Sequence, residues 1–178
     1  MSSADDAPAS KSTLLSNIKP ALAFYALMLA PIYGIGLPFL GSMTDFTVLQ
    51  NRGSPGVIAN EFIVAPSSFT PARTSYPPYF DVSADVLESA FDKVALRQPR
   101  ITAIATDAST HRREYVQRAL IFRWPDVVTF QAIPLDDGKS TLAIHSYSIY
   151  GAGDLGVNEA RVKSWISMVE IELAKKSI

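Results

Sequence analysis

The sequence predicts an α+β fold: an antiparallel sheet of about four to five strands with two helices packed on it, preceded by one N-terminal transmembrane helix. Three observations predict it. Residues 20–44 read PALAFYALMLAPIYGIGLPFLGSMT and carry no charge. Two later segments repeat apolar residues at helical spacing. Between those segments, strand-like runs follow one another through short turns, which favours a meander with both helices on one face.

The first nineteen residues are rich in Ser, Ala and Asp and read as a solvated tail. The uncharged run follows. Twenty-five residues at helical rise cover about 37 Å, enough for a hydrocarbon core of about 30 Å. A spanning helix is therefore preferred over a cleaved signal peptide, because the apolar stretch is long and no A-x-A site follows it. A buried or interfacial helix is the third reading. Pro31 lies mid-run and Pro38 follows two glycines, so a kink near Pro31 is expected. Lys11 and Lys19 precede the run and only Arg52 follows closely, which orients the chain with its N-terminus in the cytoplasm. The expected location is a membrane, single-pass, with the C-terminal domain on the non-cytoplasmic side.

Residues 45–79 read as a Pro-rich linker, with a turn cluster at NRGSPG and prolines at 66, 71, 77 and 78. A short strand near 61–65 is the one element expected inside it. The domain is placed at 80–178. Ser83 is the expected N-cap of a helix whose face is Val86, Leu87, Ala90, Phe91 and Val94, ended by Pro99. Strands are expected at 101–106, 114–124, 127–133 and 141–150. The third follows a turn at Trp124-Pro125-Asp126, and the fourth follows the turn Asp136-Asp137-Gly138-Lys139. A last helix begins at Asn158, with Val162, Trp165, Ile166, Val169 and Leu173 on its apolar face.

Composition excludes several chemistries. Beyond Thr70 there are thirteen Lys/Arg and thirteen Asp/Glu, a balance without the basic surplus that nucleic acid requires. There is no cysteine, hence no disulfide, thiolate nucleophile or Cys-type zinc site. His111 and His145 are the only histidines and stand in no ligand-spaced motif, so no metal and no cofactor are expected. His145 alternates with Ala143 and Tyr147 along a strand, as a packed or rim residue does. Tyr147, Tyr150 and Trp124 read as core aromatics rather than a pocket lining. No G-x-S-x-G elbow occurs.

The segment that invites a site hypothesis is HSYSIYGAGDLGVNEAR, residues 145–161. A strand ends, a Gly-rich loop turns and a helix starts. Ser146, Ser148, Gly151, Asp154, Gly156, Asn158 and Arg161 are its ligand or turn-organising candidates. In the structural reading Asn158 caps the helix, Asp154 sits at its positive end, and Arg161 reaches back to Asp154. In the ligand reading, backbone amides of the loop hold an anion, against which Asp154 already supplies negative charge. The string GAGDLG formally fits a dinucleotide fingerprint, but no parallel strand or ribose-binding acid follows its helix. No catalytic residue is assigned, since neither serine has an evident base.

These residues, with the earlier stretch FRWPDVVTFQ, resemble the signature of an uncharacterised family called domain of unknown function 1499 (DUF1499). Its pattern near the C-terminus is R-S-x-S-R-x-G-x-x-D-x-G-x-N-x-x-R, and Ser146, Ser148, Gly151, Asp154, Gly156, Asn158 and Arg161 match it. His145 and Ile149 stand where the family usually has arginines. The resemblance covers roughly residues 75–174. It implies a frequent N-terminal membrane segment and no assigned reaction. The function expected from all this is a membrane-anchored, non-enzymatic module, an accessory or assembly subunit beside an integral membrane protein partner. A lipid or small-ligand binding domain is the alternative, and a hydrolase built on Ser146, Ser148 and Asp154 is the least favoured.

Overall fold

The computed structural model describes residues 60–70, 73–120, 123–150 and 153–175. The expected tail, the 20–44 span, the first part of the linker, Gly151 and Phe122 lie outside the described residues. Among the described residues no helix is long and apolar enough to cross a membrane.

The fold is α+β. Strands β1 (Glu61–Val64) and β2 (Tyr79–Phe80) precede helix α1 (Ala84–Leu96). Strands β3 (Ile101–Asp107), β4 (Arg112–Arg118), β5 (Pro125–Pro134) and β6 (Ser140–Ser148) follow, and helix α2 (Val157–Ala174) comes last. Among the described residues these strands pair antiparallel throughout, in a six-stranded sheet of order β1-β6-β5-β4-β3 with β2 also on β6. The meander β3 to β6 is the one expected from the short connections. The strand expected near 61–65 is β1, and β2 is an extra strand from the end of the stretch that reads as linker. Phe62, Ile63, Val64, Ala65 and Phe80 are all buried there, so this stretch builds core instead of spacing it from something else.

α1 starts where Ser83 predicts, with the Ser83 hydroxyl accepting from the Val86 amide at 3.4 Å. It stops three residues before Pro99. Its apolar face and that of α2 lie on one face of the sheet. Leu87, Phe91 and Val94 of α1 and Val162, Trp165 and Val169 of α2 meet Tyr115, Val128, Phe130, Leu142 and Ile144. Phe91 stacks on Phe130 at 3.8 Å between ring centroids and meets Trp165 edge-on at 5.8 Å. Strand alternation sends Ile63, Thr129, Ala143 and His145 to the opposite face.

Two boundaries differ from the expected ones for a local reason. β4 ends at Arg118 rather than 124, because the chain already turns toward β5 there: the Ala119 amide donates to the Trp124 carbonyl at 2.9 Å, and Arg123 takes a left-handed φ of 57°. The expected turn at Trp124-Pro125-Asp126 is instead the start of β5, with Pro125 at the first strand position, where its missing N–H is tolerated. The turn into β6 falls where expected, with Asp137 and Gly138 at φ 59° and 72°.

Among the described residues Tyr115 is the one fully buried phenol, and it donates to Asp92 Oδ1 at 2.9 Å. Burial, and the Asp92 carboxylate beside it, push its pKa far above the ordinary tyrosine value. The folded chain therefore keeps this proton where the unfolded chain releases it. The resulting stabilisation is complete below about pH 10 and is lost as pH rises further, at up to ~1.4 kcal/mol per pH unit. Urea midpoints measured from pH 8 upward are expected to fall along this alkaline limb, and Tyr115→Phe to flatten it. An identical slope in both proteins would contradict the assignment.

Candidate functional site

The strand-to-helix segment gathers the predicted residues other than Gly151, which lies outside the described residues, but by different contacts from those the spacing suggests. Helix α2 begins at Val157 and its N-cap position is Gly156, in a left-handed conformation with φ 80°. A glycine has no side chain to cap with. Asp154 supplies the cap from two residues earlier, accepting from the Gly156 amide at 3.0 Å and the Asn158 amide at 2.7 Å. Its carboxylate thereby satisfies two of the open donors at the helix start and meets the positive end of the helix dipole. Asn158 is not the cap. It is fully buried, and its side chain points onto the sheet.

That side chain is the hub of a polar network. Asn158 Nδ2 donates to the Asn60 carbonyl at 2.9 Å and to Ser148 Oγ at 3.2 Å, while Asn158 Oδ1 accepts from Ser146 Oγ at 2.6 Å. Arg161, one turn along, donates from Nη1 to Ser146 Oγ at 2.9 Å and to Asn158 Oδ1, and from Nε to Gln117 Oε1 at 2.7 Å. Its Nη2 pairs with Asp126 Oδ2. The expected bridge from Arg161 to Asp154 is not formed. Asp126 on β5 takes the guanidinium, and it does so within the sheet rather than as a turn stabiliser. Both side chains are nearly buried, at 7% and 12% exposure, which is the setting where a planar guanidinium with several fixed donors is favoured over lysine.

Gln117, Asp126 and Asn60 were not among the sequence candidates. Asp126 lies inside FRWPDVVTFQ, and the pairing of that stretch with the C-terminal signature was the one signal that could have found it. In space the two halves of the signature meet at Asp126 and Arg161.

A protein-family model described as "Protein of unknown function (DUF1499)" matches residues 55–169, well over half of the chain. The chain belongs to the DUF1499 family. No curated protein matches it. The DUF1499 match begins before β1, in agreement with a sheet that starts at Glu61.

Chemically the DUF1499 signature in this chain is a clamp. It ties β4, β5, β6, the start of β1 and the first turn of α2 together. Ser146 is fully buried and donates to an amide oxygen, not to a base. His145, its neighbour, faces the other side of the sheet, where its Nε2 lies 2.9 Å from Glu61 Oε2 and its ring stacks on Tyr147 at 4.7 Å. Neither geometry activates a serine.

A second cluster lies elsewhere. Asp85, Glu88 and His111 bring their ligand atoms within 4.8 Å of one another. His111 Nδ1 is 3.1 Å from Glu88 Oε2, and Arg113 Nε donates to Glu88 Oε1 at 2.7 Å and Nη1 to Asp92 at 3.1 Å. Burial alone would lower the Arg113 pKa, but the Glu88 hydrogen bond and the Asp92 charge outweigh it and raise it. The Arg113 guanidinium already pairs with Glu88 and Asp92, so the group reads as an ion-pair network between α1 and the β3–β4 hairpin.

A groove of about 390 Å³ runs between β1, residues 75–78 and α2, lined by Phe62, Val64, Tyr76, Pro78, Ile166 and Glu170 among others.

Proposed function

We propose that this DUF1499 chain is a membrane-anchored, non-catalytic module, an accessory or assembly subunit that holds its α+β domain beside an integral membrane protein partner. Its anchor is the uncharged 20–44 segment, a single-pass span kinked near Pro31, and its domain stands on the non-cytoplasmic side. The observation that carries this reading is the state of the signature. The side chains of Asp154, Asn158, Arg161, Ser146 and Asp126 spend their hydrogen bonds on one another and on the backbone. Residues used this way set the shape of a surface; they do not act on a substrate.

The test is fractionation followed by mild-detergent purification. The chain is expected to resist carbonate extraction and to bring down a stoichiometric membrane protein. A reporter fused after Ile178 that works only outside the cytoplasm is expected to be active. A monomer that leaves the membrane in carbonate would overturn the proposal.

The groove beside α2 favours the second reading, a small-ligand or lipid module. Its volume falls within the usual range for ligand sites, roughly 300–1,000 Å³. Tyr76, Ile166 and Phe62 give it an apolar wall, and Lys163 and Glu170 give it polar edges.

A further inference from the structure

One end of the sheet gathers the chain entry, exposed apolar side chains and arginines. β1 begins there at Glu61, β4 finishes at Arg118, β5 starts at Pro125 and β6 ends at Ser148. The Asn60 carbonyl accepts from the Ser148 amide at 2.9 Å, so the polypeptide preceding the domain joins it at this end. Fifteen residues separate Asn60 from Thr44, the last residue of the uncharged run. Even fully extended, they reach no further than about 55 Å.

The same end exposes apolar groups. Leu155 is fully exposed at φ 53°, Leu120 is 72% exposed, and Val157 and Tyr150 are also exposed. Tyr150 lies beside Trp124, with ring centroids 6.3 Å apart. Three arginines accompany them. Arg100 Nε donates to the Arg118 carbonyl at 2.9 Å, and Arg118 Nη1 to the Arg123 carbonyl at 3.1 Å. Burial and the nearby charge of Arg123 lower the Arg118 pKa, as expected where cations crowd. Arg100 and Arg123 make no ion pair among the described residues. The acids close by are committed: Asp126 to Arg161, Asp154 to the helix start, Glu61 to His145 and Glu159 to Lys163. Exposed Leu, Val and Tyr side by side with arginines suit the bilayer interface, where apolar tips enter the acyl boundary and cations meet phosphates.

We infer that this end of the sheet rests on the anionic headgroups of the bilayer in which the chain is anchored, with Leu120, Tyr150, Leu155 and Val157 entering the interface and Arg100, Arg118 and Arg123 meeting lipid phosphates. The inference deepens the membrane-anchored reading and rests on it. The domain then lies against the membrane.

The chain has no cysteine, so single labels are clean. Leu120→Cys, Leu155→Cys and, as control, Tyr79→Cys carry a nitroxide in the full-length chain. Tyr79 pairs with Thr141 at the opposite end of β6 and is 76% exposed. The chains are reconstituted into phosphatidylcholine nanodiscs with and without phosphatidylglycerol. With the anionic lipid, labels at 120 and 155 are expected to be shielded from a water-soluble nickel relaxer while 79 stays accessible. Arg100→Gln and Arg123→Gln should each lower the docked-to-undocked ratio about fivefold. Equal nickel access at 120, 155 and 79 overturns the inference, and so does shielding that ignores the anionic lipid. Shielding found only in native membranes assigns the surface to a protein and overturns it too. Carbonate extraction of the same samples reports on the anchor separately, so a failed tether and a failed docking surface are told apart.

Discussion

Arg161→Ala is expected to destabilise the domain by about 3–5 kcal/mol, the cost of leaving a buried partner charge uncompensated. The physical chain is short. Arg161 serves Asp126, Ser146, Asn158 and Gln117 at once, and its removal strands a carboxylate that is only 12% exposed. Water cannot re-solvate that group without opening the junction between β5 and α2. Screening by salt offers little relief to a pair this deep. In thermal unfolding the loss corresponds to roughly 10–20 °C for a domain of this size. Arg161→Lys should recover little, because an ammonium cannot reach four acceptors arranged around a planar fork.

The same substitution separates the clamp from a ligand site. A residue kept for binding leaves stability nearly unchanged when it is lost. Here the double variant Asp126→Asn with Arg161→Met should cost less than the sum of the two single changes, since the second substitution removes the charge that the first leaves stranded. A loss below about 1 kcal/mol for Arg161→Ala would mean that the buried network is not what holds α2 in place.

The sequence made the helices and the meander legible because their signals are local. Ser83 and the spacing of Leu87, Ala90, Phe91 and Val94 need no distant partner to be read. The same holds for Val162, Trp165 and Val169, and for the Asp137–Gly138 turn. β1 was legible as a short strand near 61–65, but its partner was not. It has four residues and pairs with β6, the far end of the domain in sequence, through Glu61 opposite Tyr147. β2 has two residues and no periodicity at all.

The site was legible as a list and illegible as a set of contacts. From spacing, Arg161 and Asp154 look like natural partners across one turn. The structure decides otherwise by competition for donors. Gly156 at the N-cap leaves the first amides of α2 without a side-chain acceptor, and Asp154 is the nearest anion, so its two oxygens go to the Gly156 and Asn158 amides. The guanidinium then faces a buried strand whose acid, Asp126, lies 35 residues earlier. No local rule connects residues that far apart. The long-range partner is visible only once β5 and β6 are paired, Asp126 opposite Ser148.

Phe91→Ala should cost a similar 3–5 kcal/mol, but by packing rather than charge. Phe91 is fully buried on α1 and touches three rings: Phe130 at 3.8 Å, Trp165 at 5.8 Å and Tyr115 at 6.0 Å. Truncation loses apolar burial, leaves a cavity between helix and sheet, and removes aromatic pairs worth about 0.5–1.5 kcal/mol each beyond their area. Phe91→Leu, which fills more of the space, should lose distinctly less. The two large effects meet at Trp165, which sits one turn beyond Arg161 on α2 and edge-on to Phe91. If the clamp fixes where α2 lies, Arg161→Ala already loosens Trp165 from Phe91, and the double variant is then less destabilised than the sum of the singles. In a Trp124→Phe background, Trp165 alone reports this: its emission should shift to the red in native Arg161→Ala protein. Strict additivity with unchanged Trp165 emission would mean that the aromatic core positions α2 by itself and that the signature residues merely follow it.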